Sequence, residues 1–224
     1  LCFIGFQDNL YTTCLTNRSI YLIGDSTSRT WFKIILRRFN CKLITEYWSR
    51  EQWHKEMECY NKQINFKAGW YPHAQPFSVG SRFDDVHYTL YSTSRRIDNI
   101  PQDERAIIVI NLYLHIIYFH YNTFKQRMEI IRRSVNTFLT NNKQSIVMIK
   151  GPHTFESTSF RNIRSDYFGY NHSKILFEVF KGLHDRVVLL NNRDITIAKH
   201  VKNMHPPEDV VNAMVDQMLG FACH

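Results

Sequence analysis

The segment Gly24-Asp25-Ser26-Thr27-Ser28-Arg29 packs the residue types needed for acyl chemistry into the shortest space in the chain. It follows the apolar run 19–23 and opens an amphipathic stretch, so Ser26 stands where a strand turns into a helix. A hydroxyl there is presented at a sheet edge, beside the free N–H groups of the helix's first turn. Those amides suit a developing oxyanion, and the Ser26 oxygen suits attack on an acyl carbon. The competing reading is that Ser26 or Thr27 only caps the helix, as Ser, Thr and Asp commonly do. A serine nucleophile also needs a base. His205, in Asn203-Met204-His205-Pro206-Pro207, follows the last apolar run and precedes the last amphipathic one, which puts its loop on the same rim as Ser26. The two prolines stiffen that loop; otherwise His205 is one exposed histidine among 11. Asp194, just past Leu190, is placed to accept the second ring N–H and fix the tautomer, or to cap a short helical turn.

These residues are useful only if the chain brings them together, and the apolar pattern says how. Runs at 19–23, 106–110, 145–149 and 186–190 read as buried parallel strands. Between them lie amphipathic stretches. Trp31, Ile34, Ile35 and Phe39 share a face within 27–39, and Phe124, Met128, Ile131, Val135 and Phe138 recur at spacings of three and four. Ile175, Leu176, Val179 and Phe180 mark a helix over 172–181, and Val211, Met214, Val215 and Met218 mark one over 208–221. That last helix starts after Pro206-Pro207 with Glu208 and Asp209 in its first turn, as a helix N-terminus prefers. The region 41–101 reads as irregular, punctuated by Gly69, Pro72, Pro76 and Gly80, with short extended runs near 63–67 and 86–91. The alternation predicts an α/β fold with a mainly parallel central sheet covered by helices on both faces. Ligands bind such sheets beyond the carboxyl ends of the strands, here just after Ile23, Ile110, Ile149 and Leu190.

At 224 residues with 44% hydrophobic and 21% charged content, the chain reads as one globular domain over 1–224. No apolar stretch is long enough for a membrane span, and no repeat period is present. The balance of 28 basic against 20 acidic residues gives +8, a charge that suits a polyanion. The basic residues are scattered, as in Arg37-Arg38, Arg95-Arg96 and Arg132-Arg133, so nucleic-acid binding rests on charge alone and is not expected. A solvated basic surface is the favoured reading, and an acidic glycan the partner to revisit. The five cysteines, Cys2, Cys14, Cys41, Cys59 and Cys223, have no zinc-site spacing. His115 and His120, five apart, do not share a helix face, so no metal is expected. Sequons at Asn17 and Asn171 mark candidate glycosylation sites. With an opening on Leu1-Cys2, no initiator Met and no signal peptide, the chain reads as the C-terminal part of a longer protein of the secretory pathway.

Three blocks in order carry a resemblance. Tyr21-Leu22-Ile23-Gly24-Asp25-Ser26-Thr27-Ser28-Arg29-Thr30-Trp31 is similar to the Gly-Asp-Ser-Thr-x-Arg-x-Trp block of the neurexophilin and PC-esterase domain family. Val109-Ile110-Asn111-Leu112 with His115 resembles its second block; Asp194-Ile195-Thr196-Ile197-Ala198 and His205-Pro206-Pro207-Glu208-Asp209-Val210-Val211 resemble its closing block. The resemblance implies the family's C-terminal PC-esterase domain, with an SGNH-hydrolase-like three-layer α/β/α fold. It also implies O-acyl (O-acetyl) transfer or esterase chemistry on cell-surface or secreted glycans, such as sialic acids, by a Golgi or secreted protein.

Carried over residue by residue, the resemblance makes Ser26 the nucleophile, His205 the general base and Asp194 the acid. Arg29 follows the family block and would bind an acidic sugar or pair near Asp25. Asp25 itself would order the turn. Oxyanion donors would be the Ser26 amide, the Tyr113 amide and the His115 side chain, with Gly69 a substitute from the middle loop. Two positions depart from the pattern. Lys202 stands where related hydrolases place an Asp three residues before the His, and Tyr113-Leu114-His115 replaces Gly-Gln-His. A Tyr in place of Gly is strained if its turn needs positive φ, and its phenol could fill an acyl pocket. These departures keep a second reading open: a catalytically inactive domain serving as a glycan- or protein-binding module. Trp48, Trp53, Trp70 and Tyr71 are candidates for sugar stacking or plain packing. Cys14 with Cys223 is one candidate bridge. No cofactor is expected, except acetyl-CoA as acyl donor if the reaction is a transfer.

Overall fold

Apolar runs and the helical spacing between them build one sheet with helices on both sides. The computed structural model describes residues 8–45, 55–73, 91–117, 119–155 and 165–223. Its strands are β1 (Ser19–Gly24), β2 (Lys42–Leu43), β3 (Met57–Asn61), β4 (Phe66–Pro72), β5 (Ala106–Asn111), β6 (Ile146–Lys150) and β7 (Val187–Leu190). They lie in the order β2-β3-β4-β1-β5-β6-β7. From β4 to β7 every pair is parallel, while β3 runs antiparallel to β4 and β2 antiparallel to β3. The fold is therefore α/β with a mixed, mainly parallel sheet.

The helices are α1 (Asp8–Leu15), α2 (Ser26–Arg38), α3 (Thr93–Asp98), α4 (Tyr113–Ile116), α5 (Tyr121–Asn141), α6 (Ser165–Val179), α7 (Arg193–Ala198) and α8 (Glu208–Ala222). Alternation along β5 shows how the two faces are divided. Ile107 and Val109 join Trp31 and Phe32 of α2 and Met214 and Val215 of α8 in one core. Ile108 and Ile110 join Phe124, Met128 and Val135 of α5 and Leu176 of α6 in the other. Every β5 residue is buried, the signature of a strand covered on both sides. Each fully buried Ile or Phe contributes about 1.5–3 kcal/mol through the area it removes from water.

The region 41–101 differs from the expectation of irregular structure: it supplies β3 and β4. Gly69 and Pro72, which read as breakers, both lie in β4. Gly69 is required there because the Tyr71 ring folds over it, and an added Cβ would stand 2.4 Å from the Tyr71 hydroxyl. Pro72 ends the strand, where its missing N–H costs no ladder bond. The run expected near 86–91 lies, apart from Tyr91, outside the described residues.

Register brings the strand ends level. Gly24 pairs with both Asn111 and Pro72, and Lys150 pairs with Leu190, so the carboxyl ends of β4, β1, β5, β6 and β7 form one rim. Two disulfides brace the chain. Cys14–Cys223 ties α1 to the residue after α8, closing 209 residues, and Cys41–Cys59 joins β3 to the residue before β2. Such bridges persist in an oxidising compartment and are consistent with a secreted or lumenal protein. No described helix is long and apolar enough to cross a membrane.

Candidate active site

The turn after β1 is built by close backbone approach. A Cβ on Gly24 would lie 2.1 Å from the Asn111 carbonyl oxygen, so only glycine lets β1 and β5 come this near. The Asp25 N–H then donates to that carbonyl at 3.2 Å. Asp25, in extended conformation, caps α2, and its Oδ1 accepts the Thr27 N–H at 2.8 Å. The cap is thus Asp25 rather than Ser26 or Thr27, which leaves the Ser26 hydroxyl for another partner. That partner is His205: Ser26 Oγ and His205 Nε2 are 2.8 Å apart. Ser26 is the first residue of α2 and half-buried, and among the described residues its N–H has no acceptor.

His205 is held from below. His153, on the loop after β6, donates its Nε2–H to the Met204 carbonyl at 2.8 Å, fixing the residue before His205. Burial, reinforced by the Lys150 charge, pushes the His153 pKa to about 3, so this ring stays neutral and its donor role permanent. Pro206 is buried and Pro207 caps α8. His205 itself is exposed at the rim. Protein packed around its ring lowers its pKa; Asp25 pulls it upward, while Arg29, His115 and Lys150 push it further down. A neutral imidazole with its Nε2 lone pair facing a hydroxyl is the state a general base requires.

Beneath the pair lies a buried polar network. Asp25 Oδ1 accepts from the Thr27 hydroxyl at 2.6 Å and the Asn111 amide at 2.9 Å, besides the Thr27 N–H. The Thr27 hydroxyl accepts in turn from Asn111 at 2.7 Å and from Lys150 Nζ at 3.0 Å. One donor and two acceptors use all the bonding capacity of that hydroxyl. Burial would raise the Asp25 pKa, but Lys150, the Thr27 bonds and His115 together outweigh it and hold the carboxylate ionised. Burial lowers Lys150 to about 8, with Asp25 restoring part of the loss. The Trp70 indole N–H, shared between the Asp25 carbonyl and the Ser28 hydroxyl at 3.2 Å each, locks the turn from the β4 side. Lys150, His73 and His153 carry no sequence signal of a site role, and Thr27 reads there only as a candidate helix cap. A lysine ending the run Ile-Val-Met-Ile-Lys looks like a strand exiting to solvent, yet it is 2% exposed.

The other expected site residues fall into two groups. Brought near the pair are Arg29, whose guanidinium lies over the Trp70 ring at 5.4 Å, and His115, whose Nδ1 meets His73 Nε2 at 2.8 Å. Tyr113 opens α4, and the next amide, Leu114 N–H, reaches Asp25 Oδ2 at 3.4 Å. The feared strain is absent, since Tyr113 is not among the residues with positive φ. Its buried ring packs edge-on against His172 at 5.7 Å and against His153 at 6.4 Å, and its hydroxyl lies against Gly169.

The second group is not brought to the pair. Asp194 sits exposed in the first turn of α7, its Oδ2 accepting from the Asn191 amide at 2.9 Å, and makes no bond to His205. Nor does it cap the turn, as the alternative had it: Asn192 is the N-cap, and Asp194 is the second helical residue, an acid in the first turn. Gly69 lies inside β4, in register with Tyr21 and Glu58 and three residues short of the rim, so it is no oxyanion donor. Trp70 and Tyr71 are core residues at 3% and 6% exposure; Trp48 and Trp53 lie outside the described residues. Asn17 is exposed, whereas Asn171 is half-buried within α6 with its amide toward the Tyr121 hydroxyl at 3.4 Å. A glycan on Asn171 would have to part α5 from α6. His120 caps α5, accepting the Asn122 N–H.

A solved structure described as a carbohydrate esterase whose active site displays divergent catalytic and non-catalytic binding functions aligns over 92% of this chain and 68% of that one, at 10% identity and a TM-score of 0.41. A family model described as NXPE family member 4-like, C-terminal domain, matches residues 2–223, so the chain belongs to the NXPE family through that domain.

Proposed function

We propose that the chain is a serine-dependent O-acyl transferase or esterase acting on glycans, with Ser26 as nucleophile and His205 as general base. The observation that carries this is the 2.8 Å contact between Ser26 Oγ and His205 Nε2 at a strand-to-helix turn. As Ser26 Oγ bonds to the acyl carbon, its proton passes to His205 Nε2 and the carbonyl π pair moves to oxygen. The Ser26 N–H at the start of α2, with the Tyr113 amide and His115 in reserve, stabilises that oxyanion. Collapse expels the leaving group, an alcohol from an ester or a thiol from a thioester donor, which takes the proton from His205. Water or a sugar hydroxyl then gives a proton to His205 and attacks the acyl-serine. Asp25, buried and ionised, favours the imidazolium of each transition state through space, in place of a carboxylate hydrogen-bonded to the ring. Arg29 is suited to a sugar carboxylate, and an acyl donor such as acetyl-CoA is needed if the acyl group goes to a sugar. The setting is the Golgi lumen or the cell exterior, in keeping with the disulfides.

The test is labelling by a fluorophosphonate probe. Wild-type protein should label at Ser26, and both Ser26→Ala and His205→Ala should abolish it, after which release of acetate from O-acetylated sialosides separates esterase from transferase. Absence of labelling in folded protein would instead favour a silent glycan-binding domain. The observation behind that second reading is that no carboxylate is hydrogen-bonded to His205 among the described residues.

A further inference from the structure

The amino ends of β1 and β5 carry a second concave feature, on the opposite edge of the sheet from Ser26. A cavity of about 450 Å³ is lined by Arg18, Arg105, Thr13, Thr16, Asn17 and the Cys14–Cys223 disulfide with its neighbour Ala222. That volume lies within the range that accommodates small ligands. Arg18 and Arg105 are the residues just before β1 and β5, and the parallel pairing of those strands sets them side by side. The Arg18 guanidinium is anchored at one corner, Nη1 donating to the Ala222 carbonyl at 3.2 Å, while its buried Nε–H has no acceptor among the described residues. Arg105 is exposed, and its guanidinium makes no hydrogen bond or ion pair among them.

Among the described residues, no acidic side chain is paired with either charge. None of the lining residues is acidic, and residues 1–7 contain no Asp or Glu. Glu104, the nearest acid in sequence, points to the other face, where it accepts from the Ser19 hydroxyl and raises the Tyr21 pKa. Burial and the like charge of Arg105 both act to discharge Arg18. Two cations held together by the strand register, with an unpartnered buried donor, form a site in want of an oxyanion. Besides the disulfide and Ala222, the lining offers the hydroxyls of Thr13 and Thr16 and the amide of Asn17, which suit a hydroxylated ligand.

We infer that this cavity binds the sulfate or carboxylate of an acidic saccharide, with Arg18 and Arg105 gripping the oxyanion and the Thr13, Thr16 and Asn17 side chains meeting the sugar. The site is separate from the Ser26 turn and does not rest on the acyl-transfer reading. It gives the chain's surplus positive charge one specific place to act.

The test is titration calorimetry at constant ionic strength, with a sulfated N-acetylhexosamine, glucuronate, uncharged N-acetylhexosamine and sodium sulfate. Wild type and Ser26→Ala should bind one of the two acidic sugars at least about tenfold more tightly than the uncharged sugar, and the two acidic arms identify the oxyanion. Arg105→Ala, at an exposed position that leaves the fold intact by circular dichroism, should weaken binding by about tenfold, and Arg105→Glu should abolish it. Equal affinity for the uncharged sugar, or unchanged binding by Arg105→Glu, overturns the assignment. So does sodium sulfate binding as tightly as the sulfated sugar, or Arg105-dependent capture by phosphatidylserine vesicles, which would make it a bare anion site or a lipid surface. Loss of binding in Ser26→Ala would show that the ligand occupies the catalytic rim instead.

Discussion

At the carboxyl rim of the sheet, Asp25 and Lys150 are both buried and both hydrogen-bonded to Thr27; at the amino end, Arg18 and Arg105 share a cavity with no acid in its lining. The same parallel strands carry both arrangements, so the difference is one of purpose rather than of fold. Charges fixed by internal partners need little reorganisation when charge develops nearby, which suits a reaction. Charges without an acidic counterpart keep their ion-pairing energy for a ligand. The rim is also where four histidines converge, His73, His115, His153 and His205, each from the loop or turn after a strand or before α8.

The strongest way to break this comparison is to unbalance the rim. Lys150→Met leaves Asp25 ionised and buried without its counter-charge, and should cost about 3–5 kcal/mol of stability in thermal or urea unfolding. Ser26 labelling should fall about tenfold or more in the folded fraction. Pairing it with Asp25→Asn should recover part of the stability, because the buried charge is then removed; no recovery would mean that Lys150 serves only to pack against Trp31.

A smaller effect should appear in the pH dependence of labelling. His205 must be neutral to accept the Ser26 proton, so labelling is lost as pH falls through its pKa and the ring becomes charged. Because its surroundings lower that pKa, the acid limb should have its midpoint below the ordinary histidine value of 6.5. A midpoint at or above that value would show that Asp25 outweighs burial, Arg29, His115 and Lys150. Smallest of all should be Asp194→Asn, expected to change the labelling rate by less than about twofold, since Asp194 faces solvent and, among the described residues, its side chain bonds to Asn191 and not to His205. A loss of a hundredfold would restore it to the role the closing block implied.

Much of this arrangement was legible in the residues. The apolar runs and the 3.6-residue spacing located β1, β5, β6 and β7 and the long helices α2, α5, α6 and α8, because central parallel strands and amphipathic helices each leave a periodic mark. Strand-turn-helix around Gly24-Asp25-Ser26 put the Ser26 hydroxyl on the rim, and the stiff His-Pro-Pro loop put His205 beside it. Less legible was the edge hairpin of β3 and β4, where Gly69 and Pro72 look like interruptions until the Tyr71 ring is seen lying over Gly69. Helix α1 and the short turns α3 and α4 left no clear periodic signal, being held by tertiary contacts rather than by a long apolar face.

By itself, then, the order of residues determined the layer architecture, the location of the reactive turn and the serine-histidine pair, since these follow from local periodicity, glycine and proline chemistry and the handed rules of parallel sheets. Only the tertiary structure decided which charges meet. Lys150 reaches Thr27 across 123 residues, and His153 reaches Met204 across 51. Arg18 comes to lie beside Arg105, and Asp194 stays away from His205, for the same reason: side-chain electrostatics act over a few ångströms in space, and sequence distance carries no trace of them.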